Sequence, residues 1–131
     1  MIKFQELKIG DLVIAEFDGK KSEGLVTNLD WEDKEVCVET DVQDFWYTPE
    51  HLFAIPLDDE QLKKFNFETK ENPDGSVKYL KGPFRLLFPK KGDFSVFEMW
   101  YREDRRHFTH PISVHDLQNH FLEMTKIDLT R

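Results

Sequence analysis

Histidine is the side chain that titrates near neutrality and the commonest metal ligand. Four of the five histidines in this 131-residue chain fall between His107 and His120. On a strand, His107 and His110 project to opposite faces. On a helix, His115 and His120 stand about 140° apart and do not share an ion unaided. Asp116, His120 and Glu123 do share one helical side, at i, i+4 and i+7. A carboxylate–imidazole–carboxylate stripe can hold a metal or position a general base. The polar flank of an amphipathic helix has the same pattern, and no second ligand set accompanies this one. A metal-dependent enzyme on Asp116 and His120 is therefore the third of three functional readings, and neither cofactor nor metal is expected.

Nucleophilic catalysis has less to stand on. Cys37 is the only cysteine, flanked at i±2 by Glu35 and Glu39, whose charge disfavours a thiolate. There is no Gly-x-Ser-x-Gly elbow and no glycine-rich phosphate loop. A single cysteine also excludes a disulfide framework and a cysteine-cluster zinc site. The expected function is non-enzymatic.

Aromatic residues beside carboxylates give the leading reading. Trp31 lies in Asp30-Trp31-Glu32-Asp33, and Phe45-Trp46-Tyr47 follows Asp41 and Asp44. Rings edged by acids suit a cationic or proline-rich peptide. Trp31, Trp46, Tyr47 and Asp44 are the candidate contact residues for a protein or peptide partner. The competing structural role is that Trp46 plugs a small core and Trp31 covers its mouth. The second functional reading is a nucleic-acid surface across residues 78–106. Lys78, Arg85, Trp100, Arg102 and Arg105 interleave bases with rings there, as single-strand platforms do.

Charge sharpens that choice. The formal net charge is −8, but residues 1–60 carry 16 acids and 5 lysines, whereas residues 61–131 carry 10 acids and 13 Lys+Arg. The first segment argues against phosphate binding and the second leaves it open. Opposite signs also allow the halves to meet, within one chain or between two copies in a homo-oligomer. Hydrophobic residues at 39% and aromatics at 14% exclude disorder. No apolar run approaches a membrane span, and Met1-Ile2-Lys3-Phe4 does not open a signal peptide, so no membrane association and a cytoplasmic location are expected.

The elements that must position these residues are short. Apolar runs at 12–14, 24–27, 35–39 and 45–48 read as strands, with a helical turn at Thr48-Pro49-Glu50-His51-Leu52 and a last strand at 53–55. Short strands at roughly ten-residue spacing favour a closed barrel. Asp58 caps a short helix over residues 59–65, with Gln61 as its capping-box partner. Residues 66–110 read as an antiparallel meander, with Asn72-Pro73-Asp74-Gly75 as a type I turn and 94–101 as the longest strand. Ser113 caps a final helix whose stripe is Val114, Leu117, Phe121 and Met124. The expected fold class is α+β: a small barrel over residues 1–56, then a sheet packed by a C-terminal helix over residues 57–131, co-folded as one unit.

Two resemblances follow from particular residues. Leu7-Lys8-Ile9-Gly10-Asp11-Leu12-Val13, Gly24-Leu25-Val26 and the helical turn before the last strand resemble small barrels of the Src-homology, Tudor and KOW type. The segment Val114-His115-Asp116-Leu117-Gln118-Asn119 resembles the ending of a group of small uncharacterised bacterial and prophage proteins. Ile9-Gly10-Asp11 and Ile55-Pro56-Leu57-Asp58 match that group's opening and middle. Thr125-Lys126-Ile127-Asp128 departs from its Gly-plus-acids end. The second resemblance implies a phage or mobile-element setting and no particular chemistry.

Overall fold

The computed structural model describes all 131 residues. The chain is α+β, with two five-stranded antiparallel sheets and two helices. It divides into two compact units, residues 1–55 with 113–116, and residues 56–112 with 117–131. No helix is long and apolar enough to cross a membrane.

The first unit opens with a 3-10 turn at Phe4–Glu6. Strands β1 (Leu12–Phe17), β2 (Lys20–Asp30), β3 (Glu35–Glu39) and β4 (Asp44–Tyr47) follow. A turn at Pro49–His51 leads into β5 (Leu52–Phe53). The strand order is β4-β3-β2-β1-β5. The expected closed barrel is not found. β4 and β5 are the two ends of an open sheet, with no ladder between them. The reason is length. β5 contributes only two paired residues to β1, and its Leu52 carbonyl accepts from Ile2 N instead of from a further strand.

Alternation built this core as the sequence implies. Val36 and Val38 are fully buried while Glu39 is exposed, and they pack with Val13, Ala15, Val26, Tyr47 and Leu52. Asp18 (φ 51°) and Gly19 (φ 77°) form the two-residue loop of the β1–β2 hairpin, where both central residues need positive φ. Gly24 answers a different demand. A Cβ there would stand 2.5 Å from Val38 Cγ1 and 2.9 Å from the Glu39 carbonyl oxygen, so only hydrogen lets β2 lie this close to β3. Gly24→Ala is expected to destabilise the protein by about 1–3 kcal/mol, because backbone must move to relieve the overlap. Urea denaturation reads this directly, and an unchanged midpoint would show that the strands spread without cost.

The second unit starts with α1 (Asp59–Lys64). Asp58 caps it by accepting from Gln61 N at 2.8 Å. Strands β6 (Glu68–Glu71), β7 (Val77–Lys81), β8 (Phe84–Phe88), β9 (Phe97–Tyr101) and β10 (Asp104–Phe108) form a simple meander. Gly75 N donates to Asn72 O at 3.0 Å, closing the expected turn between β6 and β7. The long strand expected from Phe94 begins only at Phe97. Asp93 accepts from both Ser95 N and Ser95 Oγ, which holds residues 93–95 in a turn.

The inner face of this sheet buries Val77, Tyr79, Phe84, Leu86, Phe88, Phe97 and Met99. Helix α2 (Val114–Thr125) is capped by Ser113 as expected, and Asp116 completes a capping box, with Asp116 N on Ser113 Oγ and Ser113 N on Asp116 Oδ2. Its Leu117, Phe121 and Met124 are buried, and the Phe121 ring lies 4.7 Å from that of Phe84. Gln118 Nε2 donates to the Leu129 carbonyl at 3.1 Å, tying the last residues to the helix.

Candidate functional site

The first unit carries a groove of about 340 Å³ along the end of β1 and the edge strand β4. Three rings at its border are large, apolar and open to solvent: Phe17 (48% exposed), Phe45 (43%) and Trp46 (42%). Phe17 and Phe45 meet edge-on at 5.1 Å, and Phe45 meets the buried Tyr47 at 5.4 Å. Phe45 and Tyr47 are i, i+2 neighbours on β4, and Phe17 reaches Phe45 from β1, a strand that does not pair with β4. These contacts fix Phe45 from two sides and leave its outer surface uncovered.

The electrostatics are one-sided. Glu16, Asp18 and Glu35 line the groove, and no Lys or Arg does. His51 stands 4.0 Å from Glu16. β4 also pairs on one side only, so its outer backbone groups are a template for a further strand. The arrangement offers apolar rings, carboxylates and unpaired backbone within one groove.

No family model, no curated protein and no solved structure matches this chain. The site therefore rests on its own geometry.

Of the sequence candidates, Trp46 and Tyr47 line the groove, Tyr47 as its buried member. Trp31 does not. It projects from the β2–β3 turn, 58% exposed, with its ring edge-on to Phe4 at 4.9 Å. Lys34 Nζ lies 5.3 Å from the Trp31 ring, so this ring already has a cation of its own chain. Asp44 is exposed opposite Glu39 and is not among the groove residues. The sequence reading missed Glu16, Phe17, Asp18 and Glu35. The signal for them was the Asp18-Gly19 hairpin, whose short loop places the end of β1 at a sheet corner.

The basic candidates of the second unit fall on the outer face of its sheet. Arg85 is directly opposite Trp100, and Trp100 directly opposite Arg105, so the three form one cross-strand row. The Arg105 guanidinium stands 5.4 Å from the Trp100 ring. Lys78 pairs with Lys70 and Leu87 in the adjoining row, which also holds Glu98 and His107. Arg102 sits in the β9–β10 turn with φ 57°, its guanidinium 5.1 Å from the Tyr101 ring. Lys81 and Lys91 are committed to the Phe65 carbonyl and to Glu71.

The stripe on α2 is divided between two sets of partners. His120 Nδ1 lies 2.6 Å from Arg106 Nη1, and Arg106 also donates to Glu123 at 2.9 Å. A guanidinium can only donate, so His120 Nδ1 accepts and its proton is on Nε2. The Arg106 hydrogen bond holds the Glu123 carboxyl below the usual range. Asp116 instead faces Ser113 and His115.

Proposed function

We propose that this chain is a non-enzymatic protein-interaction module whose groove between β1 and β4 takes an extended, Lys- or Arg-bearing segment of a protein partner. The observation that carries this reading is the conjunction in one groove of three exposed rings, three carboxylates and an unpaired strand edge, with no cation. Cationic side chains gain from both the ring faces and the acids. An extended segment gains backbone hydrogen bonds along β4. Trp46 is the anchor, since buried Trp at the centre of an interface dominates binding energy.

A panel of Lys/Arg-containing dodecapeptides, each with a Gln-substituted counterpart, tests the reading by heteronuclear NMR on the full chain. Basic peptides are expected to shift the Trp46 indole resonance and to bind more weakly as salt rises. Trp46→Ala is expected to weaken binding by about 30-fold or more, the loss typical of a hot-spot residue. Glu16→Gln with Glu35→Gln should remove the preference over the neutral peptides. Absence of any shift at Trp46, or equal binding of neutral peptides, would overturn the proposal.

The Arg85–Trp100–Arg105 row supports a second reading, a platform for single-stranded nucleic acid. Oligo-dT at low salt separates the two. Quenching of Trp100 that is lost in Arg85→Gln/Arg105→Gln supports the second reading, and its absence removes it.

A further inference from the structure

The buried imidazole of His115 has an unmet bonding position. Its side chain is 2% exposed, and Nε2 has no hydrogen-bond partner. Nε2 instead faces two carboxylate oxygens, Glu6 Oε1 at 3.5 Å and Asp116 Oδ1 at 3.8 Å. A buried polar atom without a partner costs free energy that a folded chain rarely leaves uncompensated.

Each of the three side chains is held by its other atom. His115 Nδ1 is 3.0 Å from Ser113 Oγ. Glu6 Oε2 accepts from Lys3 N at 2.9 Å, and Asp116 Oδ2 accepts from Ser113 N at 3.1 Å. Two helix caps and one buried hydroxyl therefore hold the three side chains with Oε1 and Oδ1 beside Nε2, and one ligand atom of each residue lies within 4.8 Å of the others. If Nδ1 carries the proton and donates to Ser113, the Nε2 lone pair confronts two anionic oxygens. If Ser113 donates to Nδ1, the Nε2–H has no acceptor in hydrogen-bonding geometry. A cation between these atoms resolves the first arrangement directly, and the second once the Nε2 proton moves to Nδ1, which then donates to Ser113 Oγ.

We propose that Glu6, His115 and Asp116 form a binding site for one divalent transition-metal ion of the zinc class. The ligands are Glu6 Oε1, His115 Nε2 and Asp116 Oδ1, with a fourth position open to water. With ligand bonds of about 2.1 Å, a 3.5 Å separation subtends about 113° at the ion, close to tetrahedral, and 3.8 Å a wider angle of about 130°. Imidazole with two carboxylates suits zinc better than calcium or magnesium, which prefer all-oxygen shells. The Ser113 contact to Nδ1 supplies the outer-shell hydrogen bond that orients a ligating histidine. The Glu6 and Asp116 side chains are 40% and 41% exposed, so the ion has a path in while the imidazole closes the rear.

The other carboxylate grouping, Asp30, Asp33 and Glu35, does not share this property. It has no buried ligand, and Asp30 Oδ1 accepts from Glu32 N and Asp33 N in an ordinary turn.

Chelator-treated full-length protein titrated with zinc chloride tests the proposal, with calorimetry and histidine ring NMR as readouts. One zinc per chain is expected, with metallation at His115 Nε2 and no change at the other four histidines. Glu6→Gln and Asp116→Asn keep the helix caps while removing one anionic ligand each, and each is expected to weaken zinc binding about tenfold or more. Glu123→Gln is expected to leave it unchanged. Zinc that fails to bind, that shifts a different histidine, or that binds equally well to both variants would overturn the site. His115 ring signals that titrate with pH and ignore zinc would identify a histidine–carboxylate ion pair in its place.

Discussion

Lys8→Met is expected to cost about 3–5 kcal/mol of folding stability at neutral pH, the loss typical when a buried charge is stripped of its partner. The buried charge is Asp11, whose side chain is fully enclosed and ion-paired with Lys8 Nζ. Its surroundings show why it is there. Asp11 Oδ2 accepts from Lys8 N, its own N donates to Lys8 O, and its carbonyl accepts from Val26 N at 2.8 Å. Gly10, at φ 98°, lets the chain reverse between them and donates to Val26 O. Lys8 to Asp11 is thus a turn docked on β2, and the carboxylate is the piece that closes it.

The pH dependence has a definite sign. Burial raises the Asp11 carboxyl above its ordinary value of 3.8, outweighing the pull of Lys8. A carboxyl raised on folding contributes stability that is fully present below its unfolded pKa and is lost as pH rises through the folded one. Removing Lys8 raises the folded value further. The deficit of Lys8→Met is therefore expected to be largest at pH 7 and to shrink as pH falls toward that ordinary value. Asp59, Asp74, Asp93 and Glu123 are held low by their partners, so they cost stability in acid. They do so equally in both proteins and cancel in the difference. Urea titrations of wild type and variant across pH 4.5–7 measure it, and a deficit that stays flat with pH would refute the assignment.

The Ile9-Gly10-Asp11 segment shows where sequence reading succeeds and where it stops. That a turn precedes β1 was legible from Gly-Asp before an apolar run. That Asp11 would be buried was not, because it depends on Val26, fifteen residues away. The same division holds elsewhere. Local period placed Val36 and Val38 inside, the α2 stripe against its sheet, and the Asn72–Gly75 turn between strands. Closure of the first sheet was not local. It required β5 to pair with β4 as well as with β1, and β5 is only Leu52–Phe53, both paired to β1. For the site, ring density drew attention to both aromatic segments, but Trp31 and Trp46 look alike in sequence and differ in space. Trp31 is answered by Lys34 within its own turn and by Phe4, which lies too far back in the chain for any periodicity to report. Glu6 and His115 are separated by most of the chain, so no spacing rule joins them.

Phe88→Ala is the second change expected to cost about 3–5 kcal/mol, through lost transfer energy and the cavity left behind. Phe88 is 1% exposed at the end of β8. Its ring meets those of Phe94 at 4.7 Å, Phe97 at 5.0 Å and Tyr79 at 5.5 Å. Phe97 in turn stacks on Phe108 at 4.7 Å, and Phe108 meets His120 of α2 at 5.1 Å. The column therefore runs from β7 to β10 and onto the helix, with Phe88 at the junction of three contacts. Neighbours on separate strands cannot all move inward without breaking their ladders, so the cavity stays open and the upper part of the range applies. Phe88→Leu keeps apolar volume and loses mainly the ring pairs, worth about 0.5–1.5 kcal/mol each. Trp100 on β9 reports on this sheet once Trp31→Phe and Trp46→Phe remove the other two indoles. In that background, Phe88→Ala should lower the urea midpoint more than Phe88→Leu does. Equal small shifts for both would mean that the column packs rings without holding the sheet, and that the strand ladders alone define it.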